Sequence, residues 1–269
     1  MSDSQVAPSA PRRPFADRVR QVTTDEPFRW LAAGWADFRR APGVDIAYGL
    51  IFVAAGLALA AALAAANMIY LFVPLAAGFM LVGPAATLGF YAVSRDLERG
   101  ARPSLGRALL AFRVNPAPLF YIGLALLYLL LLWVRLAQLA YALSFTGTLG
   151  TDLRSVLDAT LFTGDGRAFL AISVVMGAVM AALTFAGGAF ALPLVLDRPV
   201  GMVEAVATSW TAAMASVPAM LVWAVMLVLL TAAGMAAGFV GLAVTLPLAG
   251  HATWHAYRAV IRPEIAPAN

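Results

Sequence analysis

The sequence predicts an all-α protein, a bundle of six transmembrane helices, from three observations: long stretches without charge, a strongly apolar composition and a one-sided distribution of arginine. Asp, Glu, Lys and Arg are absent from residues 46–94, 114–134, 168–196 and 205–257. A helix needs about 20 apolar residues to cross a hydrocarbon core of about 30 Å. The first and last stretches are therefore long enough for a helical hairpin and the middle two for one span each. Composition agrees, because 62% of the 269 residues are apolar and 12% charged, whereas a soluble domain carries about 25% charged residues.

Arginine gives the orientation. Seven precede the first span (Arg12, Arg13, Arg18, Arg20, Arg29, Arg39, Arg40) and five lie between the second and third (Arg95, Arg99, Arg102, Arg107, Arg113). Arg198 follows the fourth span, and Arg258 and Arg262 follow the sixth. With six spans all of these fall on one side, opposite Arg154 and Arg167, so the positive-inside rule predicts that both termini are cytoplasmic. All the cations are Arg and no Cys is present, which excludes disulfides, thiolate metal sites and thiol catalysis. The Arg residues flank apolar spans and form no aromatic-interleaved patch, so nucleic acid is not an expected partner. The bilayer is.

Taken in order, residues 1–27 read as a disordered or surface-associated tail, rich in Pro, Ser and Arg. Arg12-Arg13 is followed by no apolar region before Ile46, unlike an export signal. Residues 28–262 form the membrane domain, with spans at about 45–66, 69–93, 117–143, 168–195, 217–236 and 238–257, and residues 263–269 form a C-terminal tail. Asn67-Met68 makes the first hairpin turn and the 234–241 region the third. The outer loop, 144–167, holds a short helix with Thr151 as its N-cap, ending near Thr163-Gly164-Asp165-Gly166.

A weak repeat organises these elements. A helical segment stops at a proline before each hairpin: 28–41 before Pro42, 104–115 before Pro116 and 203–217 before Pro218. A second proline, Pro84, Pro193 or Pro247, stands near each hairpin's end. The unit is an amphipathic cytoplasmic helix followed by two spans, used three times. In the first such helix Phe28, Leu31, Trp35 and Phe38 share a face while Arg29, Asp37, Arg39 and Arg40 lie elsewhere, as in a helix lying in the headgroup plane. Trp30, Trp35, Arg39, Arg40 and Trp254 are accordingly expected at the membrane interface. The third, around Glu204 and Trp210, is nearly uncharged and is expected to pack on protein.

Candidate chemistry is sparse. His251 and His255, four apart, share a helix face with Trp254 beside them, and could together contact a haem, a metal ion or a quinone. The alternative is a structural role, hydrogen-bonding to neighbouring helices or headgroups. Arg135 is the one charge within a span; with Gln138 on nearly the same face it could line a polar pocket, bind an anionic headgroup or snorkel to the outer edge. Asp152, Asp158 and Asp165 are too far apart for a calcium loop, and no carboxylate pair has general acid–base spacing. No catalytic residue is predicted, and an enzyme is not expected.

Several runs carry a resemblance: Trp30-Leu31-Ala32-Ala33-Gly34-Trp35 continuing through Ala36-Asp37-Phe38-Arg39-Arg40-Ala41-Pro42-Gly43, residues 78–83, Ser94-Arg95-Asp96-Leu97-Glu98-Arg99-Gly100, Leu132-Trp133-Val134-Arg135, Leu192-Pro193-Leu194-Val195-Leu196-Asp197-Arg198, and Gly250-His251-Ala252-Thr253-Trp254-His255-Ala256-Tyr257-Arg258. From about Phe28 to Arg262 the chain resembles a bacterial family of uncharacterised integral membrane proteins, some of whose members carry the label of cytochrome c oxidase subunit. The resemblance implies a six-span bacterial inner-membrane protein with no established activity. Two histidines in one helix turn do not supply the ligands, on different helices, of a haem–copper catalytic subunit. The run from Leu192 to Ala205 is more distantly similar to membrane domains attached to some glycerophosphodiester phosphodiesterases, whose catalytic domain is absent here.

The expected function is therefore a non-catalytic accessory subunit, assembly factor or scaffold of a membrane complex, with a respiratory oxidase as the partner that the resemblance suggests. A transporter or lipid-handling protein is the alternative, motivated by prolines that can break spans around a central site. Haem or metal binding through His251 and His255 is a second alternative.

Overall fold

The computed structural model describes residues 15–68, 71–145 and 153–262. The helices among them are α1 (Glu26–Arg40), α2 (Pro42–Ala65), α3 (Phe72–Ala86), α4 (Leu88–Glu98), α5 (Leu105–Leu109), α6 (Pro116–Ser144), α7 (Leu153–Phe162), α8 (Gly164–Gly188), α9 (Ala191–Asp197), α10 (Met202–Ala215), α11 (Val217–Ala236) and α12 (Leu242–Val260). No β-strand occurs among the described residues, and the one isolated bridge pairs Val19 with Ile261. Thr151 and the segments 1–14 and 263–269 lie outside the described residues.

Proline sets where the long helices begin. Pro42, Pro116 and Pro218 stand in the first turns of α2, α6 and α11, where the missing N–H has no helical partner to lose. The segment 104–115 is not one helix: α5 is five residues long, N-capped by the Ser104 side chain, and is followed by a 3-10 turn at Ala111–Arg113. At the far end, Thr163 accepts the Gly166 N–H and caps α8, which therefore starts at Gly164, four residues before the expected span.

Among the described residues five stretches are long and apolar enough to cross a membrane: Pro42–Ala65, Pro74–Glu98, Pro116–Ser144, Gly164–Asp197 and Val217–Ala236. Two of them are interrupted. Pro193 removes an N–H and crowds the carbonyl of Ala189, four residues back, and α8 gives way to α9 there. Ser209 of α10 mends the break, accepting from Phe190 N (3.1 Å) and donating to Ala186 O (2.9 Å). Below Pro84, the Thr87 hydroxyl bonds back to Pro84 O (3.0 Å) at the junction of α3 and α4, a contact that bends helices.

The sixth expected span differs in kind. Residues 242–260 do form a helix, but His251, Thr253, Trp254, His255 and Arg258 make α12 less apolar than the five spans, and most of its side chains are buried in protein. It is the central helix, packed against α1, α2, α11 and α4. Because lipid is as apolar as a protein core, burial alone does not hold helices together in a membrane; close backbone approach and polar bonds do. A Cβ on Gly34 of α1 would lie 2.6 Å from Ala252 N, and one on Gly49 of α2 would lie 2.9 Å from Ala243 Cα. The third hairpin turns as expected within 234–241, with Gly238 and Phe239 in the left-handed region (φ 64° and 66°).

The first segments pack on the bundle. Residues 15–25, within the tail expected over 1–27, are bonded to it: Arg20 N donates to Val260 O, Arg262 N to Arg18 O, Val22 N to Ser216 Oγ, and Arg18 pairs with Glu204. The α1 helix does not simply rest on headgroups. It buries Trp30, Gly34, Asp37 and Phe38 and leaves Phe28 and Trp35 exposed. Both sides of α1 are apolar, and the side with a glycine packs because α12 can approach its backbone closely.

Candidate functional site

The spacing of four puts His251 and His255 on one side of α12, facing α1, α2 and α4, and each meets a carboxylate. His255 Nε2 lies 2.8 Å from Asp37 Oδ2. The same oxygen accepts a 2.8 Å hydrogen bond from Ser94 Oγ of α4, and Ser94 Oγ is 2.8 Å from His251 Nδ1. On the other edge of the ring, His251 Nε2 stands 3.1 Å from Asp45 Oδ2 of α2. That is a close approach outside hydrogen-bond alignment, and neither Asp45 oxygen has a hydrogen-bond partner among the described residues. Five side chains from four helices thus form one row, Asp45–His251–Ser94–Asp37–His255. The row runs from full burial at Asp45 and His251 to a side chain 33% exposed at His255.

Electrostatics favour charge at the outer end of this row. Burial alone would raise the Asp37 carboxyl, but hydrogen bonds from His255 and Ser94 and the nearby imidazoles outweigh it and hold the group below its ordinary value. Arg40, one turn on, approaches Asp37 Oδ1 at 3.6 Å.

A second polar layer caps the same end of the bundle. Asp197, at the end of α9, accepts from Tyr257 OH (2.8 Å) and lies near Arg258 and Arg99 (3.4 and 3.5 Å). Glu98, at the end of α4, takes Trp254 Nε1 (3.1 Å) and Arg258 (2.8 Å). Arg95 donates to Leu196 O and Asn115 to Val200 O. The ends of α4, α9 and α12 therefore meet at one face, where the N-terminal segment joins the end of α12.

On the opposite side of α12 an apolar cleft of about 360 Å³ opens between α3, α8 and α11. Gly83 and Pro84, Ala181 and Ala182, Ala224 and Ala249 leave the space by being small or kinked. Its polar groups are five hydroxyls: the Thr87–Tyr91 pair (2.6 Å), Thr231 and Thr253, which each donate to a carbonyl of their own helix, and Thr184, which is buried without a hydrogen-bond partner among the described residues.

The other sequence candidates are scattered. Trp30 and Trp254, expected at an interfacial belt, are protein-buried at 3% and 1% exposure. Trp30 meets Trp223 edge-on at 5.7 Å and Trp254 serves Glu98; both do so because α1 and α4 cover the faces of α12 and α11 that would otherwise meet lipid. Trp35, stacked on Phe38, is exposed, as are Arg39 and Arg40. Arg135 is exposed on α6 and donates to Gln138 Oε1 (3.3 Å), away from the histidines. Lying 19 residues beyond Pro116, it sits about 28 Å along the helix, near the far edge of the hydrocarbon. No cluster of three or more His, Asp or Glu side chains that could hold a metal occurs among the described residues. Both ring nitrogens of His251 face protein groups. Asp37, Asp45 and Ser94 were the residues that sequence reasoning missed; the available signal was a carboxylate beside each end of the Ala41-Pro42 junction, next to an apolar span.

These features define a class: an all-helical integral membrane protein with a cluster of polar side chains buried near one end of its bundle. Residues 71–197, from the start of α3 to the end of α9, match the family described as predicted integral membrane protein (DUF2189). The match takes in just under half of the chain, a narrower reach than the resemblance of 28–262, and includes Ser94 but not Asp37, Asp45, His251 or His255. No curated protein and no solved structure matches the chain.

Proposed function

We propose that this protein is a non-catalytic, six-span bacterial inner-membrane protein with both termini in the cytoplasm, and that it handles lipid by holding an apolar chain in the cleft between α3, α8, α11 and α12. The observation that carries this reading is the cleft itself. Its volume falls within the range of about 300–1,000 Å³ typical of ligand sites, and it is walled by spans, where the surrounding solvent is acyl chain. Of the cleft's hydroxyls, Thr184 is the buried one without a hydrogen-bond partner among the described residues, which suits a ligand with one ester, hydroxyl or carbonyl group at the end of a long tail. The three helix-plus-hairpin units inferred from the sequence would place this cleft where units meet, as in proteins whose broken helices surround a central site. The accessory-subunit reading draws on a different feature, the outward Phe28 and Trp35 of α1, which offer an aromatic face to a partner.

Native mass spectrometry of protein released from mild detergent separates the two. The lipid-handling reading expects a bound lipid that is lost when Ala182→Phe and Ala224→Phe fill the cleft, with helicity unchanged. A lipid-free chain recovered with a stoichiometric protein partner overturns it in favour of the accessory subunit.

A further inference from the structure

We infer that Asp45 and His251 hold one proton between them inside the protein, and that Ser94, Asp37 and His255 form the hydrogen-bonded path through which it exchanges with water. The site is independent of the cleft, which lies across α12.

The positions of the protons follow from counting donors. An ionised carboxylate only accepts, and a serine hydroxyl has one proton to give. Asp37 Oδ2 receives bonds from both Ser94 Oγ and His255 Nε2, so the Ser94 proton is committed to Asp37. Ser94 Oγ must then accept from His251, which places a proton on His251 Nδ1. If that were the only ring proton, the bare Nε2 lone pair would face the Asp45 carboxylate at 3.1 Å, both groups being fully buried. Two electron-rich groups in contact at full burial repel strongly, and an unpaired buried carboxylate is costly. One more proton removes the conflict, giving either an imidazolium beside a carboxylate or a neutral imidazole beside a carboxylic acid.

Among the described residues no other charge answers Asp45. The elements around His251 contribute Asp45 from α2, Ser94 and the Phe90 ring from α4, and Asp37 from α1 through Ser94. The α11 helix has no ionisable side chain. Farther out, Arg40 lies against Asp37, and Glu98, Arg99, Asp197 and Arg258 neutralise one another. Loss of the proton runs outward: His251 Nδ1–H passes to Ser94 Oγ while Ser94 gives its own proton to Asp37 Oδ2. The ring is left neutral with its remaining proton on Nε2, towards Asp45. From Asp37 the proton reaches water beside the part-exposed His255, and uptake reverses each step.

The test uses the full chain in lipid nanodiscs at neutral pH, with ¹⁵N-labelled histidine and His255→Gln to assign the signals. Either both ring nitrogens of His251 carry protons, or the ring is neutral and an infrared carboxylic-acid band is present that vanishes in Asp45→Asn. A neutral ring with no such band overturns the inference. For the path, Ser94→Ala is expected to slow solvent deuterium exchange of the His251 ring proton at least tenfold, and an unchanged rate overturns it. Should Ser94→Ala lose its helicity, His255→Gln carries the same comparison from the exposed end.

Discussion

Gly34 of α1 and Ala252 of α12 meet backbone to backbone, so closely that a single added methyl group at Gly34 would stand 2.6 Å from the Ala252 nitrogen. That approach brings Asp37 and His255, one turn along their helices, within hydrogen-bond distance. Gly34→Ala should therefore push the helices apart and cost about 1–3 kcal/mol, as overpacking does. Gly43→Ala, with nothing within 4 Å of the new methyl, should leave stability level or slightly raised. Reversible unfolding in detergent compares the two.

Acid should loosen the same contact. The folded protein holds Asp37 below its ordinary value of 3.8, so the folded state binds this proton less readily than the unfolded chain. The stabilisation is complete above that value and is lost as pH falls through the depressed one. Stability measured from about pH 5 downward should fall less steeply in Asp37→Asn, which begins lower and has no such proton to take up.

Ser209 should matter more than its size suggests. Ser209→Ala leaves Phe190 N–H and Ala186 O without their partner at the α8–α9 break, inside a span where water cannot substitute. A loss of about 1–3 kcal/mol is expected. Thr211→Ala, which removes only a bond within α10, should cost less.

Because the chain has no cysteine, single cysteines report topology directly. Arg102→Cys should react with a membrane-impermeant maleimide only after the cells are opened, and Asp165→Cys in intact cells. Labelling of both from the same side would refute the six-span orientation.

The helices were largely legible because length and apolarity register without knowledge of neighbours; α2, α6 and α11 begin at the prolines that mark them. The interior of the site was not. Phe28, Leu31, Trp35 and Phe38 read as the membrane-facing stripe of α1, and only the partner helix decides that Phe38 is buried in protein with Trp30, Gly34 and Asp37 while Phe28 and Trp35 stay outward. Asp45 read as the boundary of a span, and nothing local says that a histidine 206 positions later will face it. Hydropathy ranks α12 lowest of the long helices because protein, rather than lipid, surrounds its polar side chains.

The central place of α12 has a consequence for biogenesis. It leaves the ribosome after every helix it packs between, so Asp37 and Asp45 have no imidazole to meet until some 200 further residues are made. Final closure is thus a late insertion event, and interruption of synthesis before His251 should leave a chain for quality-control proteases to clear.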